Sequence, residues 1–291
     1  MSESSLTSPA FQIRLEKLDL VAQKILSGEI RGDLPTGRSG AGALFRGHAR
    51  YSQGDDLRFL DWNVWSRLGE LLIKQFDAEE NLDLRLLVDT SGSMGFGDHN
   101  KLSCAREVAA LLGMVALNHH GVVHLAPFPN KRVPRRYKGR TRLWPLLQEL
   151  EQLRAEGTVF LDDKVLQLEH HRSRGLAIVL SDFFIEGGYD EGLTRLQRAG
   201  FRVAVVHVLD QRDLRPDIDG PVKLVDVETD MAVRADPNRA LLDAYETEAL
   251  RWCRSVEQFC LSKKIAYVRV DTAWTLERIL RELLLDGGLL H

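Results

Sequence analysis

The stretch Leu84-Arg85-Leu86-Leu87-Val88-Asp89-Thr90-Ser91-Gly92-Ser93-Met94 begins a pattern that runs through the rest of the chain. Its first half is a short run of large aliphatic residues, the length of one buried strand rather than of a helix. The run stops at Asp89 and enters a Ser/Gly turn. A helical pattern over 101–118 follows, with the apolar face Ala105, Val108, Ala109, Leu112 and Val115. The same alternation then repeats. Apolar strands are expected at 122–128, 176–180, 202–208 and 265–270, with an edge strand over 132–137, and helices at 143–154, 162–170, 191–199, 240–259 and 276–285. Buried strands alternating with helices predict an α/β fold, a doubly wound and mostly parallel sheet with helices on both faces.

Upstream of position 81 the chain reads differently. Phe11, Leu15, Leu18, Val21 and Ile25 recur at helical spacing, a Gly- and Arg-bearing segment follows over 28–47, and an aromatic and acidic stretch leads to Leu71-Leu72-Ile73. The expected organisation is an N-terminal helix and elaboration over 1–80 and an α/β domain over 81–291. Alternation around Glu228-Thr229-Asp230 predicts a hairpin inserted near 221–235.

Composition narrows the function classes. The chain has 291 residues, 44% apolar and 28% charged, with 39 basic against 42 acidic groups and a net charge of −3. Near-neutral charge argues against a protein that coats nucleic acid, and no apolar run approaches the roughly 20 residues of a membrane span. The first residues, Met1-Ser2-Glu3-Ser4-Ser5-Leu6, lack a basic region followed by an apolar core, so the expected location is the cytoplasm. Cys104, Cys253 and Cys260 are odd in number and not spaced as zinc ligands, which fits reduced thiols.

In a doubly wound sheet, ligands bind beyond the carboxyl ends of the strands. Asp89, Ser91 and Ser93 put one carboxylate and two hydroxyls on such a turn, although a capped helix start would use the same residue types. Thr158 in a later loop offers a third hydroxyl, and Asp182 after the strand 176–180 a second carboxylate. All are hard oxygen donors of the kind Mg²⁺ prefers. The five residues in this order resemble the metal-ion-dependent adhesion site of von Willebrand factor A domains. That resemblance implies a von Willebrand factor A-like, Rossmann-type core. It also implies a site for Mg²⁺ or Mn²⁺ at Asp89, Ser91, Ser93, Thr158 and Asp182, with one coordination position left for a carboxylate of a protein partner.

Phe45-Arg46-Gly47-His48-Ala49-Arg50-Tyr51, Gly54-Asp55-Asp56-Leu57-Arg58-Phe59-Leu60-Asp61-Trp62, Ser66-Arg67 and Lys74-Gln75-Phe76 form a second signature. It resembles the bacterial family of unknown function numbered fifty-eight, whose members carry a von Willebrand A-like core and are typically encoded beside MoxR-type AAA+ ATPases. Gln53 stands where proline is usual and Ser66 where alanine is usual; neither changes a charged position. Many relatives carry two transmembrane helices ahead of the signature, and this chain resembles the short soluble form. Read on its own residues, the Gly54 to Trp62 segment is either a binding surface or an ion-pair and aromatic lock, and its paired charges favour the lock.

Several enzyme patterns fail on identity. Gly42 and Gly47 have P-loop spacing, but His48 and Ala49 occupy the Lys and Ser/Thr positions. The Ser91-Gly92-Ser93-Met94-Gly95 turn lacks the first glycine of a nucleophile elbow. His119-His120 and His170-His171 are adjacent rather than four apart. Lys131, Arg132, Arg135, Arg136, Lys138, Arg140 and Arg142 crowd one segment, a charged edge strand or a surface for an acidic partner, anionic lipid or nucleic acid.

The function expected is therefore that of a non-enzymatic adaptor whose metal site captures an acidic residue of a protein partner. The family resemblance implies that this partner is a MoxR-type AAA+ ATPase or its client, and the near-neutral charge leaves no specific nucleic acid expected, with binding of nucleic acid through 131–142 a weaker alternative. The competing expectation is a Mg²⁺-dependent phosphohydrolase with Asp89 as nucleophile.

Overall fold

The computed structural model describes residues 5–26, 45–50, 64, 71–76, 83–96, 100–129, 134–157, 161, 165, 175–184, 188–218, 220–225 and 232–286. Its contacts divide the chain into two units, Gln23–Asn81 and a larger one built from Met1–Ala22 with Leu82–His291. In the smaller unit β1 (Phe45–Arg50) pairs antiparallel with β2 (Leu72–Phe76), with an irregularity between Phe45 and Gly47. The signature residues Gly54 to Trp62 lie outside the described residues.

The larger unit is an α/β sheet. Its strands are β3 (Asp83–Asp89), β4 (Val122–Phe128), β5 (Arg135–Lys138), β6 (Leu176–Ser181), β7 (Arg202–Leu209) and β10 (Ala266–Asp271), in the order β10-β7-β6-β3-β4-β5. All neighbours are parallel except β5, which runs antiparallel to β4 at the edge. Between β7 and β10, β8 (Val222–Val225) and β9 (Ala232–Ala235) form the inserted hairpin that the alternation predicts. The central strands read as continuous aliphatic runs because both faces are covered. Leu87, Val179 and Val205 pack in one buried cluster with Leu193, Leu196, Val256 and Cys260 of the helices Asp190–Arg198 and Arg239–Ser262. The neighbouring Leu86 faces the other way, toward the helix Lys101–Asn118: a Cβ on Gly113 of that helix would lie 3.8 Å from Leu86 Cδ1.

The first helix, Pro9–Leu26, buries Phe11, Leu15, Leu18 and Ile25 at the spacing read from sequence, while Val21, expected on the same face, is only half-buried and Ala22 is buried in its stead. Its start belongs to the α/β unit. Asn118 Nδ2 donates to Asp19 Oδ2 at 2.9 Å, and Arg14 meets Glu277 at 3.4 Å on the surface. The division between units falls after Ala22 as well as after Asn81, so the first helix does not lie wholly with the segment before position 81; amphipathic periodicity says that a face is buried, not against what. The helix expected over 162–170 lies almost wholly outside the described residues; Leu161 just before it and Val165 within it are buried in the core. The C-terminal helix runs over Leu276–Arg281 and passes into a π-helical turn, Glu282–Asp286. No described helix is long and apolar enough to cross a membrane.

Two features fix where the strand ends sit. Asn100 accepts hydrogen bonds from the N–H groups of Leu102 and Ser103, starting the Lys101 helix one short loop after the Ser/Gly turn. At the opposite end of the sheet, β6 enters so close to β3 that a Cβ on Gly175 would lie 2.3 Å from the Asp83 carbonyl oxygen. Backbone cannot retreat as a flexible side-chain tip can. Gly175→Ala is therefore expected to destabilise the fold by about 1–3 kcal/mol, read as a lower urea midpoint with an unchanged slope.

Candidate metal centre

β3 ends in Asp89, which is wholly buried. Its Oδ1 accepts from the Ser91 N–H at 2.8 Å, and its Oδ2 from the Ser181 hydroxyl at 2.5 Å. The Ser91 and Ser93 hydroxyls stand 3.0 Å apart. Ser91 is buried and Ser93 partly exposed, so the turn leads from the sheet interior to solvent. Around it Phe96 and Phe184 are exposed.

The turn is held by main-chain bonds to its neighbours. Thr90 N–H and hydroxyl both donate to the Phe128 carbonyl, Gly92 N–H donates to the Gly157 carbonyl at 3.0 Å, and Glu156 N–H to the Thr90 carbonyl at 2.7 Å. Glu156 and Gly157 are therefore tied to the turn. Gly157 has φ +85°, where a side chain would be strained. Thr158 itself lies outside the described residues.

Asp182 follows β6 and is also wholly buried. Its Oδ1 accepts from the Phe184 N–H at 3.1 Å, and its Oδ2 takes a 2.8 Å ion pair from Lys101 Nζ. Between Asp182 and Phe184, Phe183 sits at φ +58°, a left-handed conformation that is costly for a non-glycine residue. It is held there by its N–H bond to Ser181 Oγ and by edge-on packing against Tyr189 and His207. His207 in turn contacts the Asp182 carbonyl through Nε2 at 3.0 Å and the Tyr267 hydroxyl through Nδ1 at 2.9 Å.

The structure thus brings Asp89, Ser91, Ser93 and Asp182 to one end of the sheet, as the spacing predicts, and adds three residues that their sequence pattern does not single out. Ser181 bridges Asp89 to the Phe183 backbone. Lys101 and Asp213 form a buried ion pair at 3.1 Å. Ser181 is adjacent to Asp182 in sequence, and that adjacency is the one signal that would have flagged it.

The electrostatics separate the two aspartates. Burial, then the charge of Asp182, pushes the Asp89 carboxyl up to about 7, against the hydrogen bonds from Ser181 and Ser91. Burial would push the Lys101 ammonium down, but Asp182 and Asp213 outweigh it and hold its pKa above the ordinary value. Burial drives the His207 imidazole down to about 4, so it is neutral near pH 7. Asp89 is thus a buried carboxylate bonded to hydroxyl and N–H donors, with no cationic side chain of the described residues on it, beside two hydroxyls on a turn that reaches solvent. That donor set fits a hard divalent cation, which would supply the missing positive charge. Among the described residues there is no cluster of three or more His, Cys, Asp or Glu side chains placed for an ion, so a softer transition-metal site is not offered there.

Because Ser181 orients the Asp89 carboxylate, Ser181→Ala is expected to weaken divalent-ion binding by about 10–100-fold with the fold retained, measured by calorimetric titration.

Beside the turn runs a groove of about 620 Å³ lined by Thr90, Pro129, Arg135, Arg154, Glu156 and Gly157. Beyond it β5 presents exposed Arg135, Arg136 and Lys138, the charged edge expected from sequence, with Lys131 and Arg132 outside the described residues.

Comparison with known proteins adds the following. The family described as "Protein of unknown function DUF58" matches residues 48–253. Uncharacterized proteins of Mycobacterium bovis and Mycobacterium tuberculosis are 28% identical over 296 residues, covering 94% of this chain and 89% of theirs. Among solved structures, BatB from Bacteroides thetaiotaomicron is 14% identical with a TM-score of 0.41, covering 70% of this chain and 97% of its own. An aerotolerance-related membrane protein from Bacteroides fragilis is 13% identical with a TM-score of 0.42, covering 69% and 97%. The manganese-loaded TRAP protein of Plasmodium vivax is 20% identical with a TM-score of 0.33, covering 43% and 56%.

Proposed function

The chain belongs to the DUF58 family, and from that membership together with the site at the strand ends we propose that it is a non-enzymatic, metal-dependent protein-interaction adaptor. The carrying observation is Asp89: a wholly buried carboxylate, bonded to no cationic side chain of the described residues, on a hydroxyl-rich turn that opens to solvent. Asp89, Ser91, Ser93 and Asp182, with Thr158 from the adjoining loop, hold Mg²⁺ or Mn²⁺. The ion supplies a Lewis-acidic position for a carboxylate of the partner. Phe96 and Phe184 give that partner apolar contact area beside the ion, and the groove reaching Arg135 and Arg154 accommodates the chain on either side of the captured acid. The partner is a MoxR-type AAA+ ATPase or a client complex that such an ATPase matures, and the adaptor works in the cytoplasm.

The phosphohydrolase reading has less support. Both Asp89 carboxylate oxygens already accept hydrogen bonds, and the residue two positions on is Ser91 rather than a second acid. The discriminating experiment is retention of a purified MoxR-type AAA+ ATPase on immobilised protein, in Mg²⁺ and in excess chelator. Retention lost in chelator is the expected result; retention unchanged by chelator overturns the metal bridge. Turnover of phosphoryl substrates with transient phosphorylation of Asp89 would favour the enzyme.

A further inference from the structure

Lys101 is among the largest fully buried side chains of the described residues, and it stands where a cation is penalised twice. It opens the helix Lys101–Asn118, whose N-terminus carries the positive end of the helix dipole, and it is 1% exposed. A lysine persists in such a place only when carboxylates hold it there. Two do, from separate crossovers: Asp182 Oδ2 at 2.8 Å and Asp213 Oδ1 at 3.1 Å. Asp213 is itself immobilised. Its Oδ2 accepts from the Asp210 N–H at 2.9 Å in a reciprocal cap of the short helix Gln211–Leu214, and its carbonyl accepts from the Tyr245 hydroxyl at 3.0 Å. The Phe184 ring lies 5.4 Å from the ammonium and adds a cation–π contact.

The consequence for the site is an imbalance. Three carboxylates, Asp89, Asp182 and Asp213, share one ammonium among the described residues, and that ammonium is bonded to only two of them. Fully ionised, the group carries a net charge that one divalent ion neutralises. Lys101 lies one carboxylate away from where the ion would sit, and it engages an oxygen of Asp182, a residue of the proposed ion site.

We infer that Lys101 is a resident counter-cation of this centre: it holds Asp182 in position when no divalent ion is bound, and it competes with the ion for that carboxylate, so it sets the concentration at which the ion is taken up. The inference rests on the reading of the Asp89 turn as a divalent-ion site. Lys101 is a positioning residue; the ion's own ligands are Asp89, Ser91, Ser93, Thr158 and Asp182.

The sign of one substitution separates this role from a merely structural one. If Lys101 only braces the fold, Lys101→Met loosens Asp182 and weakens ion binding. If it competes with the ion, the same substitution removes a like charge from beside the ion and tightens binding, by at least about tenfold at the effective dielectric of such sites. The full chain is titrated calorimetrically with Mg²⁺ and with Mn²⁺, and melted in chelator and in excess ion. The expected result is tighter binding by Lys101→Met, with a lower melting temperature in chelator and a larger rise on adding ion than in the wild type. Where the single variant does not fold, Lys101→Met/Asp213→Asn, which removes one charge of each sign, takes its place with a smaller tightening expected, because the lost carboxylate partly offsets the lost ammonium.

Wild-type binding with equal or weaker binding by the variant overturns the inference and leaves the ion site standing. Binding by the variant alone supports the inference and shows that the wild-type site is closed to the ion by its own lysine. Binding by neither overturns both readings.

Discussion

Asp89→Ala is expected to abolish divalent-ion binding, by well over roughly 100-fold in affinity, and with it metal-dependent retention of the partner, while the protein stays folded. The size follows from position. Replacing residues that merely orient a ligand costs about 10–100-fold, and Asp89 is the ligand that such residues serve. The fold survives because β3 is held by seven residues paired to β4 and five to β6, none of which needs the carboxylate. In chelator the variant is relieved of a buried charge, although it leaves the Ser181 hydroxyl without its acceptor. Calorimetric titration gives the affinity and a thermal melt the fold. Retained ion binding, or retained partner binding that still responds to chelator, overturns the assignment of Asp89.

A second large effect concerns pH. The Asp89 carboxyl is raised from 3.8 to about 7 by burial and by Asp182, so between those values the folded protein binds a proton that the unfolded chain has released. Stability from this group is complete below about pH 4 and is lost as pH rises toward 7. His207 acts in the opposite sense. Lowered to about 4 by burial, it favours the folded state more as pH rises from 4 to its ordinary 6.5. The two slopes oppose each other in the wild type, so the useful quantity is a difference. In chelator, Asp89→Asn is expected to gain stability relative to the wild type as pH is raised from about 4 to about 7. The upper bound is about 4 kcal/mol, since each tenfold change in proton affinity is worth about 1.4 kcal/mol, and relaxation of the site reduces it. Urea unfolding at several pH values measures it, and a difference flat with pH contradicts the buried, uncompensated state of Asp89. With ion present the wild type is expected to recover the difference and to release a proton on binding near pH 7.

The strands of the sheet were legible because burial on both faces makes them aliphatic runs that end abruptly. β4 falls where its aliphatic run predicts, β3, β6 and β7 differ by one residue at an end, β10 is shifted by one residue at both ends, and β5, expected over 132–137, runs over Arg135–Lys138. Doubly wound sheets take their ligands beyond the strand ends, so the candidate residues Asp89, Ser91, Ser93 and Asp182 were legible together with the fold. Lys101 was not legible, because a charged first residue of a helix reads as solvated and its two carboxylates lie 81 and 112 positions away. Asp213 sits in a four-residue helix too short to show any periodicity. The first helix carried the right buried face but no mark of what it packs on, and the association of residues 1–22 with 82–291 had to come from the structure.

His207 ties the Asp182 carbonyl to Tyr267 of β10, so the surroundings of Asp182 depend on a strand far along the chain from it. Asp89 meets Ser181 across 92 positions, and Lys101 meets Asp213 across 112. A nascent chain that has made β3 already carries the Asp-x-Ser-x-Ser turn, yet it holds neither the buried environment nor the second carboxylate. Loop closure on this scale favours late assembly. The buried surroundings of Asp89 and Asp182 therefore form only when segments far apart in sequence have met, so ion affinity is expected of the folded sheet and not of the turn alone.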